Sequence, residues 1–143
     1  MTIASLLASK GPKVVTIHPE ASIREALARL AEHNIGALVV TDEQNRPVGI
    51  LSERDIVRGL AREEQVLGRS VSAIMTREVI SGSPQDDLRT VGHTMTERRI
   101  RHLPVVDGGQ LVGIVSIGDV VKAQRDEYLG ELDTLQVQLL GSA

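Results

Sequence analysis

The chain repeats itself. Val14-Val15-Thr16-Ile17-His18-Pro19 lies over Val79-Ile80-Ser81-Gly82-Ser83-Pro84. At the same offset Ile23 meets Leu88, Arg24 meets Arg89, Leu30 meets Met95 and Ile35 meets Ile100. Leu38-Val39-Val40-Thr41-Asp42 then meets Leu103-Pro104-Val105-Val106-Asp107. After a one-residue gap in the turn, Val48-Gly49-Ile50-Leu51-Ser52-Glu53-Arg54-Asp55-Ile56-Val57 meets Val112-Gly113-Ile114-Val115-Ser116-Ile117-Gly118-Asp119-Val120-Val121. A register held over about 40 positions marks a duplicated structural unit. Each copy is too small for a comfortable core of its own, so the two are expected to pack together about a pseudo-twofold axis.

The local patterns read alike in both copies. A short β run, Val14 to Ile17, ends at a proline. A helix follows, with Ile23, Ala26, Leu27, Leu30 and Ala31 on one face and a capping box at Ser22-Ile23-Arg24-Glu25. Asp87 is expected to cap the counterpart helix. Two β runs come next, 36–41 and 47–52 in the first copy and 102–107 and 110–116 in the second. The second pair is joined by the tight Gly108-Gly109 turn. Another helix opens after Ser52 or Ser116. The order β-α-β-β-α, twice, gives an α/β (α+β) class with small sheets flanked by helices. Gly92, inside a predicted helix, implies a close approach by another backbone. The expected division is 1–66 for the first copy with a lead-in helix, 67–125 for the second, and 126–143 for a helical tail. Val121, Arg125, Tyr128, Leu132, Leu135 and Leu139 fall at alternating 4-3 spacing on that tail. They predict either a short coiled-coil seam or packing back on the same chain.

Composition removes several classes of function. The 143 residues, 41% of them apolar, suit one soluble domain with a single core, and a net charge of -3 disfavours duplex nucleic acid as a partner. Tyr128 is the only aromatic residue, which removes base-stacking platforms. With no cysteine there are no thiolate metal sites or cysteine nucleophiles. The four histidines have no metal-ligand spacing. No apolar run approaches the roughly 20 residues of a membrane span, and the start lacks the pattern of a secretory leader. A cytoplasmic location is therefore expected, with neither membrane nor nucleic acid as partner. No catalytic constellation is present, so the chain is read as non-enzymatic, with no catalytic residue and no resident metal.

The informative unit is Gly-apolar-apolar-Ser-x-x-Asp, at Gly49 to Asp55 and Gly113 to Asp119. It combines a strand end, a hydroxyl and a helix start with a carboxylate in the first turn. Free N–H groups at a helix start attract phosphate, and a carboxylate can accept both hydroxyls of a ribose. A glycine in the strand would let a ligand approach the backbone. Capping alone also explains Ser and Asp at this spacing, and both readings stand at this point.

With these two units, the two β-Pro helix openings, Ile74-Met75-Thr76 and His102-Leu103-Pro104-Val105-Val106-Asp107, the chain resembles a tandem pair of CBS domains, a Bateman module, of the stand-alone bacterial and archaeal type. The resemblance covers roughly Val14 to Arg125. It implies a regulatory module that binds adenosyl compounds (AMP, ADP, ATP or S-adenosylmethionine) in clefts between the repeats. By position, Asp55 and Asp119 match ribose-binding aspartates, Ser52 and Ser116 hydroxyl contacts near phosphate, and Ile50 and Ile114 apolar contacts to the base. Gly36-Ala37 and Arg101-His102 match a segment facing phosphates. Thr16 and Ser81 match first-strand hydroxyls, and Val14, Val15, Val79 and Ile80 would line the base. Arg54 supplies a basic group to the first site. Arg98, Arg99, Arg101 and His102 are expected to make the Asp119 site the stronger phosphate binder. No cofactor is required, and a magnesium ion would enter only on the ligand's phosphates. The resemblance further implies a homodimer and an effector protein that responds to the ligand. The alternative is a ligand-independent oligomerisation or protein-interaction module.

Overall fold

A computed structural model describes residues 1–141. The elements run α1 (Ile3–Lys10), β1 (Thr16–Ile17), α2 (Ile23–His33), β2 (Ala37–Thr41), β3 (Pro47–Ser52), α3 (Glu53–Arg62), α4 (Leu88–Arg98), β4 (His102–Asp107), β5 (Gln110–Ser116) and α5 (Ile117–Gly141). Two short 3-10 turns, Glu64–Gly68 and Val71–Ala73, lie in the linker between the copies. This is the mixed α/β arrangement expected, with two small sheets flanked by helices. The last two residues of the predicted tail, 142 and 143, lie outside the described residues.

The helices begin where hydroxyls and carboxylates can take up free N–H groups. Thr2 caps α1, the Ser22 hydroxyl accepts from Glu25 N–H to cap α2, and Asp87 accepts from Arg89 and Thr90 N–H to cap α4. Asn34 and Arg99, at matching places after α2 and α4, adopt left-handed backbone conformations that end the two helices. Gly108 and Gly109 both have positive φ, as the tight β4–β5 turn requires.

The two sheets differ in their first strand. In the first copy β1 runs parallel to β2, with Thr16 opposite Val39 and Ile17 opposite Val40, and β2 pairs antiparallel with β3. In the second copy β4 and β5 form a two-stranded sheet, and the expected run from Val79 is reduced to one parallel bridge, Gly82 to Val105. Gly82 N–H donates to Pro104 O at 2.9 Å, and Val106 N–H donates to Gly82 O at 2.8 Å. Extending the ladder by one residue would set Ser81 against Pro104 and would need a Pro104 N–H. Proline has none. Val39 holds the equivalent place in the first copy and carries that donor.

Apolar side chains gather in two clusters, one per sheet, where the composition alone suggested a single core. Ile17, Ile23, Ala26, Leu30, Leu38, Val40, Leu51 and Ile56 form the first. Leu88, Val91, Met95, Leu103, Val105, Val115 and Val120 form the second. Each cluster is completed by the segment that precedes the other copy. Val66, Val71 and Met75, from the linker, pack into the first. Ile3, Leu6 and Leu7, from α1, pack into the second, although α1 precedes the first copy in sequence. Its backbone is tied there too: Ile3 N–H donates to Asp86 O and Ala4 N–H to Pro84 O.

Three local expectations are corrected by this exchange and by α5. Gly49 and Gly113 do not leave room for a ligand. A Cβ on Gly49 would lie 2.6 Å from Met75 Sδ and 3.1 Å from Thr76 O, and one on Gly113 would lie 2.7 Å from Leu7 Cδ1. The crossing segments claim that space. At Gly92 the close neighbour is the Val120 side chain, 3.0 Å from a Cβ placed there, and not a passing backbone. Helix α5 continues through Arg125 without interruption, and of its residues only Val120 and Ala123 are buried. Tyr128 (61% exposed), Leu135 (54%) and Val137 (69%) stand in solvent, so the tail does not fold back over the chain. Among the described residues no helix is long and apolar enough to cross a membrane.

Candidate functional site

Both Ser-x-x-Asp corners form the same hydrogen-bonded unit. At the end of β3, Ser52 is extended, its hydroxyl accepts from Asp55 N–H at 3.2 Å, and its N–H donates to Asp55 Oδ2 at 2.9 Å. At the end of β5, Ser116 Oγ accepts from Asp119 N–H at 3.1 Å and Ser116 N–H donates to Asp119 Oδ2 at 2.9 Å. Both corners are thus capping boxes. In both corners the serine N–H donates to Oδ2, so capping leaves Oδ1 to serve another donor. Each corner is also tied to the strand pair behind it, since Glu53 N–H donates to Gly36 O and Ile117 N–H donates to Arg101 O.

Beyond this unit the corners differ. A cavity of about 600 Å³ opens beside Asp55. Gly36, Ile50, Ser52, Arg54 and Asp55 line it from the first copy, and Ile80, Arg101 and His102 from the second. These eight residues were expected to serve ligand, but not one common site. The cations of the second copy, Arg99 with Arg101 and His102, face the Asp55 cavity instead of gathering at Asp119. The cause is the packing of the copies, which sets the start of β4 against the start of α3. Gly36 is the contact point: a Cβ there would lie 3.6 Å from Glu53 Oε1 and 3.9 Å from His102 Cε1. Burial holds the His102 ring below its ordinary pKa, assisted by the charge of Arg101. Asp119 pulls the ring upward, Lys10 pushes it down and Glu53 pulls it upward, so His102 senses both corners.

The Asp119 corner already holds a cation. Lys10 Nζ, from the end of α1, lies 2.6 Å from Asp119 Oδ2 and donates to Ile114 O at 2.9 Å. Burial raises the Asp119 carboxyl, but the Lys10 hydrogen bond and the Ser116 amide and hydroxyl outweigh it and hold the group below its ordinary pKa. In the first copy the carbonyl of Ile50 is taken by backbone: Thr76 N–H donates to it at 2.8 Å, and Ile50 N–H donates to Thr76 O at 2.9 Å.

The other expected residues are more scattered. Ala37 is buried in β2 and Val15 packs against the first core. Thr16 pairs with Val39, and its carbonyl accepts from Arg29. Val14 and Val79 are half-buried. Ser81 lines a separate cavity of about 240 Å³ with Asp86, Thr90 and Thr94. Sequence reasoning missed Glu53, Thr76 and Glu78 in the Asp55 cavity, and Lys10 beside Asp119. Their signal was position: Lys10 and Thr76 both sit just ahead of a repeat, in the segments that cross over. Among the described residues no group of three or more His, Asp or Glu side chains could hold a metal ion.

Known proteins place this architecture. The chain is 43% identical to the CBS-domain containing protein ATU1752 from Agrobacterium tumefaciens, whose crystal structure it matches with a TM-score of 0.83 over 87% of this chain and 99% of that one. It is 34% identical to the CBS domain protein PAE2072 from Pyrobaculum aerophilum, solved complexed with AMP, at a TM-score of 0.75 over 83% of this chain and 89% of that one. It is 30% identical to the CBS domain pair of protein MJ0100, solved with 5-methylthioadenosine and S-adenosyl-L-methionine, at a TM-score of 0.79 over 89% and 98% of the two chains. The chain spans only 38% of the length of a curated relative, an uncharacterized 33.4 kDa protein of Thermofilum pendens, to which it is 43% identical over 117 residues covering 81% of this chain. The CBS domain family matches residues 8–62 and 71–126, one match per copy. The chain belongs to the CBS domain family and contains a tandem pair of CBS domains.

Proposed function

We propose that this CBS pair is a non-catalytic regulatory module that binds an adenosine-containing ligand in the cavity beside Asp55. The observation that carries the reading is the composition of that cavity. A carboxylate at a helix start, a hydroxyl, apolar surface and several cationic side chains from both copies converge on one space of about 600 Å³. A space of that size lies within the range of cofactor and nucleotide pockets, roughly 300–1,000 Å³. Asp55 would accept the ribose hydroxyls, and Ile50 and Ile80 would cover the base. Arg54, Arg99 and Arg101, with Ser52 and His102, would receive phosphate, for which guanidinium groups supply paired donors. Magnesium would be carried by the phosphates. AMP bound to PAE2072, and S-adenosyl-L-methionine and 5-methylthioadenosine bound to the MJ0100 pair, support this ligand class.

Because the lining comes from both copies, the ligand would cross-link them and shift an equilibrium toward the conformation it binds best. The test is a thermal melt with AMP, ADP, ATP and S-adenosylmethionine. At a concentration near 100 times Kd, a true ligand adds roughly 2.7 kcal/mol, or on the order of 5–10 °C. The Asp55→Ala variant is expected to lose most of that shift. No shift with any of the four, or an equal shift in the variant, would refute the assignment.

A second reading rests on α5. Its exposed Tyr128, Leu132, Leu135 and Leu139 keep the alternating spacing of a seam, which suits assembly into a homodimer or with an effector protein independent of ligand. Leu132→Glu and Leu135→Glu would then lower the sedimentation coefficient, and unchanged sedimentation would remove the tail from consideration.

A further inference from the structure

The two ribose-type corners are built from one motif, yet a cavity of about 600 Å³ opens beside Asp55 while Asp119 is bonded to Lys10. We propose that Lys10 is an internal latch on the second corner: its ammonium takes Asp119 Oδ2, one of the two carboxylate oxygens to which a ribose diol would donate, so the second cleft accepts the full diol of a nucleoside only when Lys10 leaves. The inference rests on the reading of Ser-x-x-Asp as a ligand corner, carried from Asp55 to Asp119.

Three observations support it. Lys10 Nζ engages two acceptors of the corner at once, Asp119 Oδ2 at 2.6 Å and Ile114 O at 2.9 Å. The counterpart carbonyl, Ile50 O, is held by a backbone N–H that no small molecule would displace, whereas Ile114 O is held by a side chain that can swing away. Lys10 is also delivered by a docked element. Leu7, one turn earlier, packs so closely over Gly113 that a Cβ there would lie 2.7 Å from Leu7 Cδ1. The latch is therefore pre-positioned and loses little freedom on closing.

The bond itself is breakable. The side chains of Lys10 and Asp119 are 29% and 27% exposed, so solvent screens the pair. A ribose diol donates to a carboxylate as the ammonium does, but without charge, so it competes at a disadvantage until its base and phosphates add contacts. A ligand that wins would free the Lys10 side chain and remove the tie between the end of α1 and the β5 corner. The second site would then report its occupancy through the first ten residues of the chain.

Isothermal titration with AMP tests the latch on the intact chain, using wild type, Lys10→Met, Asp55→Ala and the double variant Asp55→Ala/Lys10→Met. Lys10→Gln repeats the test with a polar, uncharged side chain, and circular dichroism checks folding. The expected result is one equivalent bound by wild type, two by Lys10→Met, and binding regained in the double variant with an affinity about fivefold or more above that of Asp55→Ala. One equivalent in both wild type and Lys10→Met, with a silent double variant, overturns the latch and leaves the Asp55 assignment intact. No binding by wild type but one equivalent by Lys10→Met supports the latch and overturns the Asp55 assignment. Silence in all four proteins overturns both.

Discussion

The Asp55 and Asp119 corners carry the same capping box at the same turn from strand to helix, yet one faces a cavity lined by arginines and the other is tied to a lysine. The difference lies outside the motif. Linker residues run past β3 as backbone, pairing Thr76 with Ile50, while α1 approaches β5 as a helix end and reaches it with a side chain. A local sequence signature therefore specifies a shape that can receive a ligand. Whether it is free to do so depends on the segment that crosses from the other copy.

Three measurements would break or sharpen this comparison. The largest effect concerns the cores. Leu38 and Leu103 hold equivalent buried places in β2 and β4. Leu38→Ala and Leu103→Ala are each expected to cost about 3 kcal/mol in chemical denaturation. Unequal costs would mean that the smaller sheet tolerates a void differently. Next come the caps. Ser52→Ala and Ser116→Ala should each lose about 1 kcal/mol. A larger loss at Ser116 would show that the Lys10–Asp119 pair depends on the cap for its geometry.

The smallest effect is on the acid side. Asp119 titrates below its ordinary value in the folded chain, so its stabilisation is complete above the unfolded pKa of about 3.9 and disappears as pH falls through the folded value. Lys10→Met should remove up to about 1 kcal/mol at neutral pH and flatten the loss of stability below about pH 4. Parallel profiles for variant and wild type would place the origin of the depressed pKa in the Ser116 bonds alone.

Much of the fold was legible because the duplication carried it. The strands 47–52, 102–107 and 110–116 and the Asp87 cap follow from alternation, turn glycines and helix spacing, which are local. The pairing of copies was legible only in outline. Nothing in the spacing of Arg101 and His102 says that they face Asp55, because that depends on how two sheets pack. Gly49 and Gly113 were read as openings for a ligand, whereas long-range contacts with Met75 and Leu7 occupy the space. The missing strand at Val79–Ser81 was foreseeable from Pro104, which lacks the N–H that Val39 carries at the equivalent place in the first copy. Read from the sequence, Lys10 follows directly on a short lead-in helix, and its role appears only once α1 is placed on the other half.

The placement of α1 has a consequence for biosynthesis. Its apolar face fits against β5 and α4, so residues 3–10 must wait for more than a hundred later ones to be made before they can dock. During that interval Ile3, Leu6 and Leu7 are uncovered, and the N-terminal half can complete its own interior as soon as Met75 has emerged. Helix α1, although made before both sheets, is thus among the last elements to reach its final position, and it brings Lys10 to Asp119 as it arrives.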